Sequence, residues 1–232
     1  MLTIRRAAER GHADHGWLES WHSFSFADYH NPAHVHFGSL RVINEDTVQP
    51  GQGFPTHGHR DMEILSYVLE GTLEHKDSMG NGTQIRYGEV QLMSAGTGVR
   101  HSEFNPSASE AVHFLQIWVM PDTQGLTPGY QQKAFSLADK RGRWCLLASR
   151  QGEAGSLVIH QDVRIHAAVL APGETLEHGI APQRRIYVHV ARGSVTLNGQ
   201  ALDAGDAAML SGEKALGVAA AAQAELLLFD LA

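Results

Sequence analysis

Two histidine-containing stretches of the chain have the residue types and the spacing of a metal site. The first, PTHGHRDMEI (55–64), contains His57 and His59, and the second, GVRHSEFN (98–105), contains His101 and Glu103. In a β-strand, residues i and i+2 point to the same face, so the members of each pair project together. Two neighbouring strands that carry these pairs would bring three imidazoles and one carboxylate to a single ion.

This donor set indicates a transition metal with room for a reaction. Imidazole and carboxylate suit Fe, Mn, Co, Ni, Cu or Zn, whereas Ca and Mg prefer shells made entirely of oxygen. Four protein ligands leave positions of a six-coordinate ion open to water, dioxygen or substrate, unlike a closed structural site. Glu63 follows His59 by four residues, so its side chain points to the same face as that of His59 if the strand is regular. It is therefore an alternative fourth ligand, or a carboxylate that orients an imidazole.

Short strands separated by turns are the elements that must position these residues. The chain has 24 glycines at turn-like spacings among 232 residues, and 43% of its residues are hydrophobic. Turns recur about every ten residues, which is typical of a sandwich or barrel. The predicted strands of the first half cover residues 38–48, 62–69, 72–78, 83–87, 89–93 and 112–120. The alternating aromatics Trp21, Phe24 and Phe26 favour a strand core over a pocket wall.

The two halves of the chain share a repeat. Gly51 and Gly71 are 20 residues apart, as are Gly173 and Gly193, and GEVQLMSAG (88–96) is echoed by GDAAMLSG (205–212). The repeat predicts a metal-binding barrel at 1–122, a linker at 123–142 and a second barrel at 143–232. Aligning the two copies places non-ligating residues opposite every candidate ligand, so one ion per chain is expected. These residues are Gly179, Ala181, Arg185, Val218 and Ala220, opposite His57, His59, Glu63, His101 and Glu103.

Composition argues against several classes of protein. The formal net charge is −7, and no basic run exceeds two residues, so direct nucleic-acid binding is not expected. No segment approaches the roughly 20 apolar residues that cross a bilayer, and the N-terminus lacks the apolar segment of a signal peptide. Cys145 is the single cysteine, which suits a reducing cytoplasm. Closed barrels leave few free strand edges, which favours a monomer.

The metal-site residues match known motifs. The positions of the first cupin motif are occupied in order by Gly51, His57, His59, Glu63 and Gly71, and those of the second by Gly88, His101 and Asn105. The second motif departs from the usual pattern, since SAGTGVRH replaces a shorter stretch that contains proline. The longer strings GWLESWHSFSFADYHNP, THGHRDMEILSYVLEGTLEHKDSMGN and MSAGTGVRHSEFNPS resemble the pirin family of bicupins, and within it the bacterial members assigned quercetinase activity. The resemblance weakens after about residue 150.

The resemblance implies an all-β bicupin, with two tandem jelly-roll barrels and few short helices. It implies one metal in the N-terminal barrel on His57, His59, His101 and Glu103, with Glu63 outside the ligand set. Iron is the expected metal, with Ni, Mn, Co, Cu and Zn as alternatives. The implied activity is a quercetin 2,3-dioxygenase that opens flavonols with dioxygen and releases carbon monoxide, with Glu103 or Glu63 as the proton acceptor. The alternative is a redox- or metal-sensing regulatory protein without physiological catalysis.

Overall fold

In the computed structural model, which describes residues 1–232, the chain forms twenty β-strands and one turn of α-helix. The helix α1 spans Leu137–Lys140. The strands are β1 (Leu2–Arg5), β2 (Gly11–Asp14), β3 (Leu18–His22), β4 (Leu40–Val48), β5 (Gly53–Glu70), β6 (Thr72–Asp77), β7 (Gly82–Arg86), β8 (Glu89–Phe104), β9 (Val112–Val119), β10 (Gly129–Ala134), β11 (Cys145–Ser149), β12 (Leu157–Val158), β13 (Val163–Leu170), β14 (Thr175–Gly179), β15 (Arg185–Arg192), β16 (Ser194–Leu197), β17 (Gln200–Asp203), β18 (Ala207–Ser211), β19 (Ala215–Ala220) and β20 (Ala224–Leu231). The predicted all-β class is confirmed.

The N-terminal unit comprises Gly11–Ala134 together with Ile159–Gln161. Its nine strands form one sheet in the order β2-β3-β4-β9-β5-β8-β6-β7, and β10 pairs with β8 beside this path. Strands β4, β5 and β9 contribute apolar side chains to one buried core, among them Val48, Val68 and Phe114. The strands predicted at 62–69 and 89–93 belong to the longer β5 and β8, which continue through both histidine-containing stretches.

The C-terminal unit comprises Met1–Arg10, Phe135–Val158 and Asp162–Ala232. It has a seven-stranded sheet in the order β1-β18-β15-β20-β13-β11-β12 and a four-stranded sheet in the order β14-β19-β16-β17. Both sheets contribute to one core of buried aliphatic residues that includes Val188, Leu210 and Leu228.

The division into units differs from the predicted boundaries: Ile159–Gln161, predicted in the second barrel, belong to the N-terminal unit, and two further segments pair otherwise than predicted. The first ten residues, predicted in the first barrel, contribute β1, which pairs with β18 through Leu2 opposite Leu210. Residues 129–134, predicted as linker, form β10 and pair with the first half of β8. Both pairings join segments that are distant in sequence, so local turn composition does not reveal them.

The internal repeat is less regular in structure than in sequence. In the C-terminal unit, Val218 lies opposite Leu176, so the glycine-based alignment, which equates Gly179 with His57 and Val218 with His101, is wrong by three residues here. A turn at residues 181–184 also separates β14 from β15, whereas the corresponding β5 is continuous. No helix of the chain is both long and apolar enough to cross a membrane.

Candidate metal centre

Strand register places His57, His101 and Glu103 in two adjacent rows across β5, β8 and β6. His101 on β8 lies opposite His57 on β5 and Asp77 on β6. Two residues further along β8, Glu103 lies opposite Phe54 and His75. Gly53 allows the backbones to come this close, because a Cβ there would lie 2.3 Å from the carbonyl oxygen of Glu103.

Three histidines converge as the spacing predicts. One ring nitrogen from each of His57, His59 and His101 lies within 4.8 Å of the others, and the ring centroids are 4.5–4.8 Å apart. His101 is buried, whereas His57 and His59 are half-buried and face a cavity. The nearest approach is 3.1 Å, between Nε2 of His57 and Nε2 of His101.

The hydrogen bonds of His57 show that its inner nitrogen is available as a ligand. Its Nδ1 lies 2.9 Å from the carbonyl oxygen of Pro55, which can only accept, so Nδ1 carries the proton. In the neutral imidazole, Nε2 then carries the lone pair, and this nitrogen faces Nε2 of His101. Two nitrogens bound at about 2.1 Å to one ion at a right angle stand about 3 Å apart, close to the observed separation. The residues present fit a divalent transition metal.

The surroundings keep the other two imidazoles neutral, as metal ligation requires. Burial, followed by the neighbouring His57, lowers the pKa of His59 to about 4. Burial and the adjacent histidines, His57 first, lower the pKa of His101 to about 3.

Glu103 lies beside the histidines as a fully buried carboxylate. Ser66 donates its hydroxyl to Oε1 at 3.1 Å, and Gln116 donates its amide to Oε2 at 2.7 Å. Burial raises the pKa of Glu103 to about 7 against the opposing effect of the Ser66 hydrogen bond. One Glu103 oxygen lies within 4.8 Å of ring nitrogens of His75 and His101, and Glu103 lines the same cavity as His57 and His59. A cation at the three histidines would favour its ionised form.

Glu63 lies apart from the histidines because β5 is not regular between them. Asp61 has a left-handed backbone (φ 63°), and the pairing of β5 with β8 shifts register between His59 and Asp61. The carboxylate of Glu63 instead accepts hydrogen bonds from Ser94 Oγ at 3.0 Å and from the backbone N–H of His160 at 3.2 Å. It is 1% exposed and does not line the cavity.

Replacing Glu63 by glutamine is expected to lower stability while leaving metal affinity within about threefold. Ser94 and the backbone N–H of His160 both donate to Oε2, so the amide oxygen of glutamine can keep these bonds, but the negative charge that strengthens them is lost, a cost of about 1 kcal/mol. Urea unfolding and zinc titration of the same preparation measure the two effects. A residue that only hydrogen-bonds a metal ligand contributes about 10–100-fold to affinity. A loss of zinc affinity beyond about 100-fold would therefore make Glu63 a ligand.

A cavity of about 750 Å³ opens beside His57, His59 and Glu103. Its apolar walls include the rings of Phe26, Phe54 and Trp118. Trp118 stands edge-on to His59 at 5.0 Å and edge-on to Phe26 at 5.4 Å between ring centroids. Of the three aromatics expected in the strand core, Phe24 is buried, whereas Phe26 forms part of this wall.

The cavity also has a polar wall, on β3 and β4, that the sequence did not indicate. Oδ1 of Asn44 accepts a hydrogen bond from Nδ1 of His22 at 2.9 Å, and Ser20 donates its hydroxyl to Asp46. Burial raises the pKa of Asp46 to about 7, although the Ser20 hydrogen bond opposes this. These positions alternate along paired strands, so a polar i, i+2 pattern on β4 was the available signal.

Replacing Asp46 by asparagine is expected to stabilise the metal-free protein at pH 8 but not at pH 4. Folded Asp46 binds its proton below about pH 7, whereas the unfolded residue binds it only below about 3.8, so the free energy of unfolding falls across this window as pH rises. The full difference corresponds to about 4 kcal/mol as an upper bound. Urea unfolding at both pH values measures it, with exposed Asp28→Asn as control. Equal stability of Asp46→Asn and wild type at pH 8 would contradict the raised pKa.

Comparison with known proteins identifies the family. The pirin family model matches residues 3–119, and the model of the quercetinase C-terminal cupin domain matches residues 146–231. The chain belongs to the pirin family. The predicted bicupin fold is thereby confirmed, since both halves match cupin-type domains and the all-β architecture agrees.

Several relatives of this pirin are similar over their whole length. It is 49% identical over 231 residues to the quercetin 2,3-dioxygenase of Escherichia coli (strain K12), covering 100% of this chain and 99% of the relative. It is 41% identical to a pirin-like protein of Caulobacter vibrioides, covering 96% of each. The crystal structure of the E. coli pirin YhhW in complex with nickel(II) superposes with a TM-score of 0.95 at 49% identity, covering 100% of this chain and 99% of that one.

Proposed function

We propose that this pirin is a metal-dependent dioxygenase that opens flavonols such as quercetin, with His57, His59, His101 and Glu103 as the metal ligands. The observation that carries the proposal is the convergence of three imidazoles beside a buried carboxylate, at the wall of an aromatic cavity. The 49% identical E. coli relative that is named quercetin 2,3-dioxygenase supports it, as does the related pirin that binds nickel(II).

A metal held by these residues would supply Lewis acidity, which would favour the anionic form of a hydroxyl bound to it. Nickel and iron both suit three imidazoles and one carboxylate, so the donor set leaves the choice of metal to availability. The other contributions come from the chain. Before any ion binds, Nε2 of His57 and Nε2 of His101 are already 3.1 Å apart, close to the separation of two ligands at a right angle on one ion. Little rearrangement is therefore needed for binding.

Glu103 is the proposed proton acceptor for the 3-hydroxyl of the flavonol. Its carboxylate lies within 4.8 Å of ring nitrogens of His75 and His101 and lines the same cavity as His57 and His59, which supports a position within reach of a flavonol hydroxyl in that cavity. Ser66 and Gln116 fix its orientation through one hydrogen bond to each oxygen. Glu63 is not suited to this role, because its partners Ser94 and His160 hold it outside the cavity.

The cavity suits a flat aromatic molecule with several hydroxyls. Phe26, Phe54 and Trp118 offer apolar surface for planar rings, while Asn44 and Asp46 provide polar partners at another wall. In the overall reaction both atoms of dioxygen enter the product at C2 and C4, the two bonds to C3 break, and C3 leaves as carbon monoxide. The flavonol supplies all the electrons.

Oxygen uptake in the presence of quercetin tests the proposal. Protein loaded in turn with iron, nickel, manganese or zinc is expected to consume dioxygen at a rate that follows metal occupancy for at least one redox-active metal. The metal-free protein provides the control for autoxidation of quercetin. Equal rates for the loaded and metal-free forms with every metal would favour the alternative, a metal-sensing regulatory protein.

A further inference from the structure

Behind the three histidines, a buried chain of hydrogen bonds leads from His101 to a carboxylate. Nδ1 of His101 lies 3.4 Å from Nδ1 of His75, and Nε2 of His75 lies 3.0 Å from Oδ2 of Asp77. His75 is fully buried, and its ring stacks on Tyr130 with centroids 4.9 Å apart. The spacing of His75 and Asp77 along β6 is i, i+2, the same as that of the candidate ligand pairs.

Asp77 is held so that it can only accept from His75. Its Oδ1 accepts the backbone N–H groups of Met79 at 2.9 Å and Asn81 at 3.0 Å. Its Oδ2 accepts the side-chain amide of Asn81 at 2.9 Å as well as Nε2 of His75. Four donors converge on one carboxylate that is shielded from solvent, so a proton on Oδ2 is strongly disfavoured.

The direction of every proton in the chain follows from this carboxylate. Nε2 of His75 must donate to Asp77, so Nδ1 of neutral His75 has a lone pair. That lone pair accepts Nδ1–H of His101, which leaves Nε2 of His101 unprotonated and facing Nε2 of His57. Both inner nitrogens then present lone pairs 3.1 Å apart, an arrangement that a cation between them relieves.

We propose that Asp77 and His75 are positioning residues that set the tautomer of His101 and thereby prepare the metal site. The inference rests on the metal site of the proposed function but not on turnover. Partners of this kind orient ligands in other metal sites and contribute about 10–100-fold to metal affinity. Here the orienting carboxylate acts through an intervening imidazole.

Nitrogen NMR of the metal-free protein observes the tautomers directly. Long-range ¹H–¹⁵N correlations at pH 7.5 are expected to show Nε2–H for His75 and Nδ1–H for His101. In Asp77→Asn both assignments are expected to reverse. The backbone donors of Met79 and Asn81 keep the amide oxygen of Asn on their side, so its nitrogen faces His75 and donates to it. An Nε2–H tautomer for His101 in the wild type would overturn the proposal.

Zinc affinity provides the second readout. A reversed tautomer of His101 places a proton on the nitrogen that would bind zinc, so it weakens binding more than the loss of the hydrogen-bond partner His75. Asp77→Asn is expected to weaken zinc binding by about 10–100-fold, and His75→Leu by a smaller factor. The double variant Asp77→Asn/His75→Leu should recover to the level of His75→Leu, because no imidazole remains to transmit the reversed proton. A double variant weaker than both single variants would show a structural role and contradict the proposal.

A matched control exists in the same unit. Glu45 on β4 lies 3.0 Å from Nε2 of His113 on β9, and neither residue belongs to the histidine cluster. Glu45→Gln makes the same acid-to-amide change and is expected to leave zinc affinity within about twofold of wild type, well below the effect of losing a residue that hydrogen-bonds a metal ligand.

If wild type binds zinc with the predicted tautomers but turns over no quercetin, the proposed activity fails while the positioning role stands. If Asp77→Asn does not fold, the wild-type tautomers and His75→Leu still decide.

Discussion

His101→Ala is expected to abolish tight metal binding and to leave the protein folded. His101 lies at the middle of the cluster, near His57 on one side and His75 on the other, so its loss removes a ligand and breaks the supporting chain. We expect zinc affinity to fall by more than about 100-fold, which exceeds the effect of losing a residue that only hydrogen-bonds a metal ligand. Isothermal titration with zinc measures the loss, and circular dichroism checks the fold.

His113→Ala is the control for this prediction. His113 lies in the same unit on β9 and pairs with Glu45, so the variant makes the same truncation away from the cluster. It should retain one zinc per chain at wild-type affinity. Stoichiometric zinc at wild-type affinity in His101→Ala would remove His101 from the ligand set.

Glu103→Gln is expected to reduce quercetin turnover by about 10²–10⁴-fold at saturating metal, the usual contribution of a positioned proton acceptor. Glutamine keeps the size of the side chain and can still accept from Ser66, but it loses the negative charge and the ability to take a proton. Metal affinity should also fall, because an anionic donor is lost. Turnover rates measured across metal concentrations separate the two effects.

Comparison with Glu63→Gln distinguishes the two carboxylates. Glu63 is bound to Ser94 and His160 outside the cavity, so its variant should retain turnover once differences in stability are taken into account. If Glu63→Gln loses turnover while Glu103→Gln keeps it, the assignment of the proton acceptor is reversed.

The three histidines were predictable because their geometry depends on local alternation. The i, i+2 spacing of His57 and His59 holds within a regular part of β5, and the pairing of His57 with His101 brings the second strand beside it. The prediction that Glu63 shares this face was conditional on a regular strand. The register shift after His59 and the positive φ of Asp61 break that condition. Gly96 and Gly98 on β8 were the available signal of a bulge, since glycine inside a strand often marks one.

Features that depend on distant pairings were not predictable from the sequence. The strand β10 lies in a turn-rich stretch and is defined by its partner β8. His75 and Asp77 have the same spacing as the ligand pairs, but only the register of β6 against β8 shows that they stand behind His101. The contact of His160 with Glu63 joins residues 97 positions apart, for which no local pattern exists.

The fate of dioxygen tests the central claim most directly. Metal-loaded protein is supplied with quercetin under ¹⁸O₂, while carbon monoxide is quantified and the product is analysed by mass spectrometry. The proposed reaction predicts one carbon monoxide for each dioxygen consumed, with both labelled atoms in the ring-opened product and neither in the carbon monoxide. His101→Ala should give only the autoxidation background. Oxygen consumption without carbon monoxide, or equal product from His101→Ala and wild type, would contradict the account.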